Sequence, residues 1–148
     1  MNLDHVFIDL AVTDPDPSVG EILAIAAVRT DRKGKVLAAF SEKTGTSDEY
    51  DERRFTMAVK GMQDSILAKS FDHSYIVVSH GDNDRRFLRA AWGRIQEKDG
   101  EIFPRRAWLD TAQLAWPLAY NDMIAERTLD SLCKHFGIEN TAIDTAMG

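Results

Sequence analysis

The order of apolar segments along the chain predicts an α/β domain in which helices flank a mixed sheet of five strands. Three β-rich runs follow one another at the start, and short apolar runs then alternate with helical periodicity. Strands joined by short turns form an antiparallel meander, whereas strands separated by helices pair in parallel. The 148 residues contain no repeat, low-complexity segment or evident linker, so we expect one domain over 1–148.

The first three strands are expected at 5–10, 22–30 and 36–40. The first is a short apolar run that ends at a carboxylate, and the proline-containing turn after it cannot continue a central strand. The second is too apolar to be exposed on both faces. Asp31 to Gly34 form the expected hairpin turn into the third strand. The polar stretch 41–52 is expected to be a loop.

The rest of the chain alternates helices with short strands. Apolar spacing predicts a helix over 53–69 and an amphipathic helix over 84–96. The remaining expected elements are strands at 75–78 and 108–109, a helix capped by Asp110 that runs to about Tyr120, a helix from Thr128 to Gly137, and the first turns of a helix over 141–148. Pro117 should end or kink its helix. Core packing is the expected role of Trp92, Trp108 and Trp116.

Composition narrows the class of protein. The longest apolar run, 22–28, is too short to cross a bilayer, and the N-terminus lacks the features of a signal peptide. The single cysteine, Cys133, has no internal disulfide partner and is expected to be a small buried hydrophobe. These features predict a soluble, cytoplasmic protein without membrane contact. A net charge of −6 argues against a broadly basic nucleic-acid surface but leaves a local, metal-assisted site open.

Two segments carry carboxylates at the ends of expected strands. The first reads Asp9-Leu10-Ala11-Val12-Thr13, and the second runs from strand 75–78 through a glycine-containing turn to Asp84 and Phe87-Leu88. They resemble the first two motifs of the DnaQ-like exonucleases of the DEDD class, whose fold is ribonuclease H-like. Framework segments at 108–115, 129–132 and 136–138 resemble the same family. The resemblance covers nearly the whole chain and implies a metal-dependent 3′→5′ exonuclease plan.

The resemblance also implies which groups are missing. Asp9 and Asp84 occupy family metal-ligand positions, whereas Ala11, Asn140 and Thr145 stand where the family has Glu, His and a final Asp. Asp144 is the neighbour of that last position, but one residue along a helix turns a side chain by about 100°. Family members use two metal ions, hard oxygen ligands and a general base. We therefore expect weak binding of Mg²⁺ or Mn²⁺ or none, and inefficient hydrolysis.

Further side chains are candidates for nucleic-acid contact at the same edge. They are Thr13, His80, Arg85 and Arg86. For His80 a packed or hydrogen-bonded ring is the alternative. The arginines of this helix, which also include Arg89 and Arg94, form either a solvated face or a surface that follows phosphates.

Three functions remain open from the sequence. The first is a pseudo-exonuclease that binds single-stranded nucleic acid or a protein partner. The second is a weakly active exonuclease on DNA or RNA that uses Asp9, Asp84 and Asp144. The third is a protein-interaction module, for instance a homodimer or an inhibitor subunit. The sequence does not choose between DNA and RNA and names no partner.

Overall fold

A computed structural model of the protein describes residues 3–46, 49–68, 71, 74–80, 83–96, 102–103, 108–123, 126 and 129–137. The strands are β1 (Leu3–Val12), β2 (Ile22–Thr30), β3 (Val36–Lys43), β4 (Gly45–Thr46), β5 (Glu49–Tyr50), β6 (Ser74–Ser79) and β7 (Trp108–Asp110). The helices are α1 (Glu52–Ser65), α2 (Asn83–Gln96), α3 (Ala112–Tyr120) and α4 (Leu129–His135).

The main sheet has five strands in the order β3-β2-β1-β6-β7. β1, β2 and β3 pair antiparallel, whereas β6 pairs parallel with both β1 and β7. The predicted mixed sheet flanked by helices is therefore confirmed. The hairpin turn before β3 is confirmed as well, since the Asp31 carboxylate accepts the Lys33 and Lys35 N–H groups and Gly34 has φ +90°.

The stretch predicted as a loop, 41–52, is different. β3 continues to Lys43, and β4 and β5 form a small antiparallel hairpin before α1 begins at Glu52. A polar strand is stable here because β3 lies at the sheet edge, where one face meets water and the backbone still pairs with β2. Asp51 caps α1 by accepting the N–H groups of Arg53 and Arg54.

α3 runs to Tyr120, as predicted, and contains a proline. Pro117 lies inside the helix, which continues to Tyr120, so the proline does not end it. Proline removes only one intrahelical donor, and the turn that follows is closed by Asn121, whose backbone N–H and side-chain amide donate to the Pro117 carbonyl. Trp116 is 52% exposed, so its expected core role is wrong. Trp92 and Trp108 do pack against the core, as predicted.

The main hydrophobic core lies on one face of the sheet. β1 contributes its even-numbered residues, because successive side chains of a strand point to opposite faces. The members from β1, α1 and α2 are Val6, Ile8, Leu10, Phe55, Ala58, Val59, Met62, Phe87, Leu88 and Ala91. α2 is held on this face, which brings its first turn to the carboxyl edge of the parallel strands.

At the other end of β1, the core encloses an ion pair. Arg29 Nε donates to Asp4 Oδ2 at 2.8 Å, and both side chains are 2% exposed. Arg29 Nη1 donates to the Ile66 carbonyl after α1 at 3.0 Å, and the guanidinium lies over the rings of Phe71 and Tyr75. One buried cation thus joins two strands, the end of α1 and the start of β6.

The loop between β1 and β2 packs closely on α2 at Gly20. A Cβ atom there would lie 2.3 Å from the Asp14 carbonyl oxygen and 2.9 Å from two ring atoms of Phe87. We expect Gly20→Ala to lower the free energy of unfolding by about 1–3 kcal/mol, because backbone and a core ring must move. Urea unfolding measures this. The exposed neighbour gives the control Val19→Ala, expected to change stability by at most about 0.5 kcal/mol. Equal midpoints for the two variants would contradict the close approach.

Candidate functional site at the carboxyl edge of the sheet

Asp9 lies near the carboxyl end of β1, beyond its last pair with β6. That last pair joins Phe7 to Val78, and Asp9 itself pairs with Ala26 of β2. Its side chain is half-buried and lies on the sheet face opposite the main core. Carboxyl ends of parallel strands are where α/β sheets place ligands, so the position suits a binding carboxylate.

Asp84 is the second residue of α2, and its carboxyl lies close enough to Asp9 to be affected by its charge. Burial of the Asp84 carboxyl, followed by the negative charge of Asp9, raises the pKa of Asp84 from 3.8 to about 7. Like charges close together in a desolvated place disfavour ionisation. The structure therefore brings the two predicted aspartates into one site, where a bound cation would relieve their repulsion.

Ala11 leaves this site without a third acid on β1. It lies on the same strand face as Asp9, pairs with Ala24, is 8% exposed and is followed by a β-bulge. Within the part of the chain that the structure describes, no group of three or more His, Cys, Asp or Glu side chains is arranged to hold a metal ion. Two carboxylates balance the charge of one divalent cation but not that of two.

The loop from Thr13 to Glu21 lies beside the start of α2. Thr13 closes it, since its N–H donates to the Glu21 carbonyl and its hydroxyl accepts the Glu21 N–H, both at 2.9 Å. Asn83 Nδ2 donates to the Pro15 carbonyl at 3.2 Å. These contacts give Thr13 a structural role; the nucleic-acid contact foreseen for it stays a prediction.

A polar cluster follows the ends of β6 and β7. His80 Nδ1 lies 2.9 Å from Thr111 Oγ1, and the Thr111 hydroxyl donates to the Ser79 carbonyl at 3.1 Å. Asp110 Oδ1 accepts the Ala112 N–H at 2.8 Å and so caps the start of α3, as predicted, although Thr111 is the residue directly before the helix and makes no side-chain cap bond. His80 is thus a hydrogen-bonded histidine, the alternative foreseen for it. The rule that polar side chains meet at the carboxyl ends of neighbouring parallel strands identifies Thr111, which sequence reasoning missed.

The arginines of α2 differ in exposure. Arg85 is half-buried, whereas Arg86, Arg89 and Arg94 are exposed. Arg86 lies close enough to Asp16 to help lower the pKa of that carboxyl, after the larger effect of hydrogen bonds from the Ser18 N–H and hydroxyl. Three exposed arginines therefore lie on α2, the helix that carries Asp84. Asn140, Asp144 and Thr145, predicted from the resemblance, lie outside the described residues.

Comparison with solved structures identifies the fold. E. coli exonuclease I in complex with a dT13 oligonucleotide matches with a TM-score of 0.65 and 16% identity, over 98% of this chain and 38% of that one. A structure described as suggesting how exonuclease I achieves processivity matches with a TM-score of 0.66 and 15% identity, over 98% and 38%. A complex of exonuclease I with SSB-Ct matches with a TM-score of 0.64 and 15% identity, over 97% and 39%.

The chain therefore has the ribonuclease H-like exonuclease fold and spans 38–39% of the length of the exonuclease I chains it resembles. No protein-family model and no curated protein matches its sequence. Among the described residues, no helix has the length and apolar character needed to cross a membrane.

Proposed function

We propose that this protein is a pseudo-exonuclease that binds the end of a single-stranded nucleic acid at the carboxyl edge of its sheet and cleaves it poorly. One observation carries the proposal: Asp84 is desolvated beside the charge of Asp9, while the neighbour of Asp9 on the same face of β1 is the buried Ala11. The site keeps the carboxylates that would hold one cation. The site lacks the further acidic residue, at the Ala11 position of β1, that would supply a third carboxylate for a two-metal mechanism.

The chemistry of the two aspartates sets what the site does. A single Mg²⁺ or Mn²⁺ held by Asp9 and Asp84 would supply positive charge next to a phosphate. Efficient hydrolysis requires stabilisation of both the attacking and the leaving oxygen, together with a base for the attacking water. By resemblance, the general-base position is Asn140, whose amide does not titrate in the working pH range. With two aspartates and no general base, we expect the site to bind a nucleic-acid strand and to hydrolyse it slowly.

The surroundings of the site support a nucleic-acid ligand. The exposed Arg86 and Arg89 lie about one helical turn apart on α2. Cations along a groove follow the phosphates of a single strand. The oligonucleotide and SSB-Ct complexes of exonuclease I provide the parallel for a single strand and for a protein partner.

A protein-interaction role is the second candidate because α3 and its continuation expose apolar side chains. Trp116, Tyr120 and Met123 are 52%, 87% and 56% exposed. Such residues are enriched at interfaces. Salt dependence separates the two candidates, since phosphate contacts weaken as salt rises.

A combined cleavage and binding assay tests the proposal. We expect the wild type to bind end-labelled single strands in Mg²⁺ or Mn²⁺ and to leave them largely uncut. Asp9→Asn should weaken cation binding about tenfold or more, because half of the carboxylate pair is lost. Asp64→Asn removes an equal charge from an exposed site on α1 and serves as the control. Rapid 3′→5′ cleavage that vanishes in Asp9→Asn but survives in Asp64→Asn would establish an active exonuclease instead.

Restoring the absent groups offers a test in the opposite direction. We expect the triple change Ala11→Glu, Asn140→His and Thr145→Asp to raise cleavage clearly above the wild type, because it supplies the missing ligands and base. The control repeats the triple change in an Asp84→Asn background and should remain inactive. A folded triple variant with no gain would contradict the placement of these three positions.

A further inference from the structure

β1 directs an aromatic side chain to the sheet face that lies opposite the main core. His5, Phe7 and Asp9 alternate along the strand with its core residues, so all three point to this second face. Phe7 is 46% exposed, although β1 is the central strand of the five. An aromatic ring that stays in contact with water in the middle of a sheet offers apolar area, and a flat ligand that covers it gains hydrophobic free energy.

Strand register extends this apolar surface sideways from Phe7. Phe7 pairs with Val78 of β6, and Val78 pairs with Leu109 of β7, so the three side chains form one row on the second face. Leu109 is 43% exposed, whereas Val78 is buried. Along the strand, the His5 and Phe7 rings lie nearly parallel, with centroids 6.1 Å apart and 29° between their planes. The second face therefore presents Phe7 as an exposed ring beside a second ring and an aliphatic row.

The exposed ring lies next to the pair of aspartates. Phe7 and Asp9 are two residues apart on one face of β1, a distance of about 7 Å along the strand. A nucleotide whose phosphate is held through a cation at Asp9 and Asp84 carries its sugar and base within reach of Phe7. The flat base beside a phosphate thus matches the exposed ring beside the aspartates. An apolar side chain of a protein partner would cover the ring but would leave the aspartates unused.

We propose that Phe7, backed by His5, stacks on the nucleobase next to the phosphate that is bound at Asp9 and Asp84. This inference rests on the proposed nucleic-acid function and specifies which part of the strand contacts the second face of the sheet. Aromatic side chains on a sheet surface stack on bases in folds that bind single strands, and the contact tolerates any base because every base has a π-face. A strand end that lacks its bases binds more weakly.

Fluorescence anisotropy with 5′-labelled single strands in Ca²⁺ tests the stacking. One strand carries a base at every position, and its match is abasic at the last two 3′ nucleotides. We expect the wild type to bind the intact strand about five- to a hundredfold more tightly, the worth of one stacked base. Phe7→Leu removes the ring but keeps an apolar side chain, and it should bring this ratio near one, whereas Phe7→Tyr should preserve it. The control Phe136→Leu removes a ring that is 61% exposed after α4 and should also preserve the ratio.

Photo-crosslinking gives a second measurement that needs no variant. The wild type is irradiated in Ca²⁺ with a strand that carries 5-iodouracil at its last two 3′ positions, and mass spectrometry locates the adduct, which we expect on Phe7. Equal affinity of the wild type for the intact and abasic strands overturns the proposal. A ratio that survives Phe7→Leu, or a crosslink confined to residues outside β1, overturns it as well, while strand binding itself would still support the proposed function. If no strand binds the wild type, the proposed function and the stacking fail together, and the exposed row is assigned to a protein partner instead.

Discussion

Asp84→Asn is expected to stabilise the protein at pH 8, although it removes a carboxylate from a partly buried site. Burial and the charge of Asp9 raise the pKa of Asp84 to about 7 in the folded protein, whereas the unfolded chain has the ordinary value of 3.8. Between these values the folded state holds a proton that the unfolded state has released. The contribution of Asp84 to stability is therefore greatest below pH 3.8, falls as pH rises towards 7, and is lost above 7. Asparagine remains neutral and avoids the loss.

The size of the effect follows from the pKa difference. A rise from 3.8 to about 7, at about 1.4 kcal/mol per unit, sets a ceiling of about 4 kcal/mol. The Asp84 side chain keeps some contact with water, so we expect a gain of about 2 kcal/mol. Urea unfolding at pH 5 and pH 8 measures it. The wild type should be less stable at pH 8 than the variant, and the difference should shrink at pH 5.

Two further variants separate the causes. Asp9→Asn removes the smaller of the two causes and should weaken the pH dependence in part, because burial of Asp84 remains. Asp64→Asn should leave the pH dependence unchanged, since this carboxylate is exposed on α1. If Asp84→Asn and the wild type responded identically to pH, the raised pKa of Asp84 would be contradicted, and if Asp9→Asn left the pH dependence of the wild type unchanged, the two carboxylates would not share a site. Asp84→Asn should also weaken divalent-cation binding while it raises stability, because the same carboxylate that binds the cation destabilises the cation-free fold.

Asp4→Leu is expected to lower the free energy of unfolding by about 3–5 kcal/mol, because it leaves the Arg29 guanidinium buried without its carboxylate. The 2.8 Å bond from Arg29 Nε is lost, and the enclosed cation has little access to water. Thermal and urea unfolding at neutral pH measure the change.

A double variant distinguishes a lost partner from lost packing. Asp4→Leu with Arg29→Met removes both charges, and we expect it to recover most of the stability, since apolar replacements of buried pairs are often neutral. A double variant as unstable as Asp4→Leu alone would assign the cost to the ring and carbonyl contacts of Arg29 instead.

The elements that follow from side-chain periodicity were predictable from the sequence. β2 has the predicted bounds, and α2 starts within one residue of its prediction, since its apolar positions all face one core. β3 was cut short because its last residues are polar, and edge pairing is a property of the backbone that side-chain polarity does not report. The prediction that Trp116 packs in the core failed for a different reason. Its size favours burial, but burial depends on what α3 packs against.

The candidate site was likewise predictable from the sequence only in part. The positions of Asp9 near the end of β1 and of Asp84 at the start of α2 were predictable, but their electrostatic coupling depends on how α2 lies on the sheet. The bond between His80 and Thr111 joins residues 31 positions apart and depends on strand register. The Arg29 pair is similarly distant in sequence and lacks a local pattern, so it emerged only with the fold.

The Asp4–Arg29 pair has a consequence for the opposite end of the strand. Asp4 lies on the core face of β1 and Asp9 on the other, because they are five positions apart and alternate residues of a strand point to opposite faces. Sliding β1 by one residue against β2 would reverse both, forcing Asp9 among apolar side chains and separating Asp4 from its cation. Misalignment of β1 would therefore raise the free energy of the sheet at two places. The buried pair of Asp4 and Arg29 therefore also favours the strand register in which the Asp9 carboxylate lies outside the hydrophobic core.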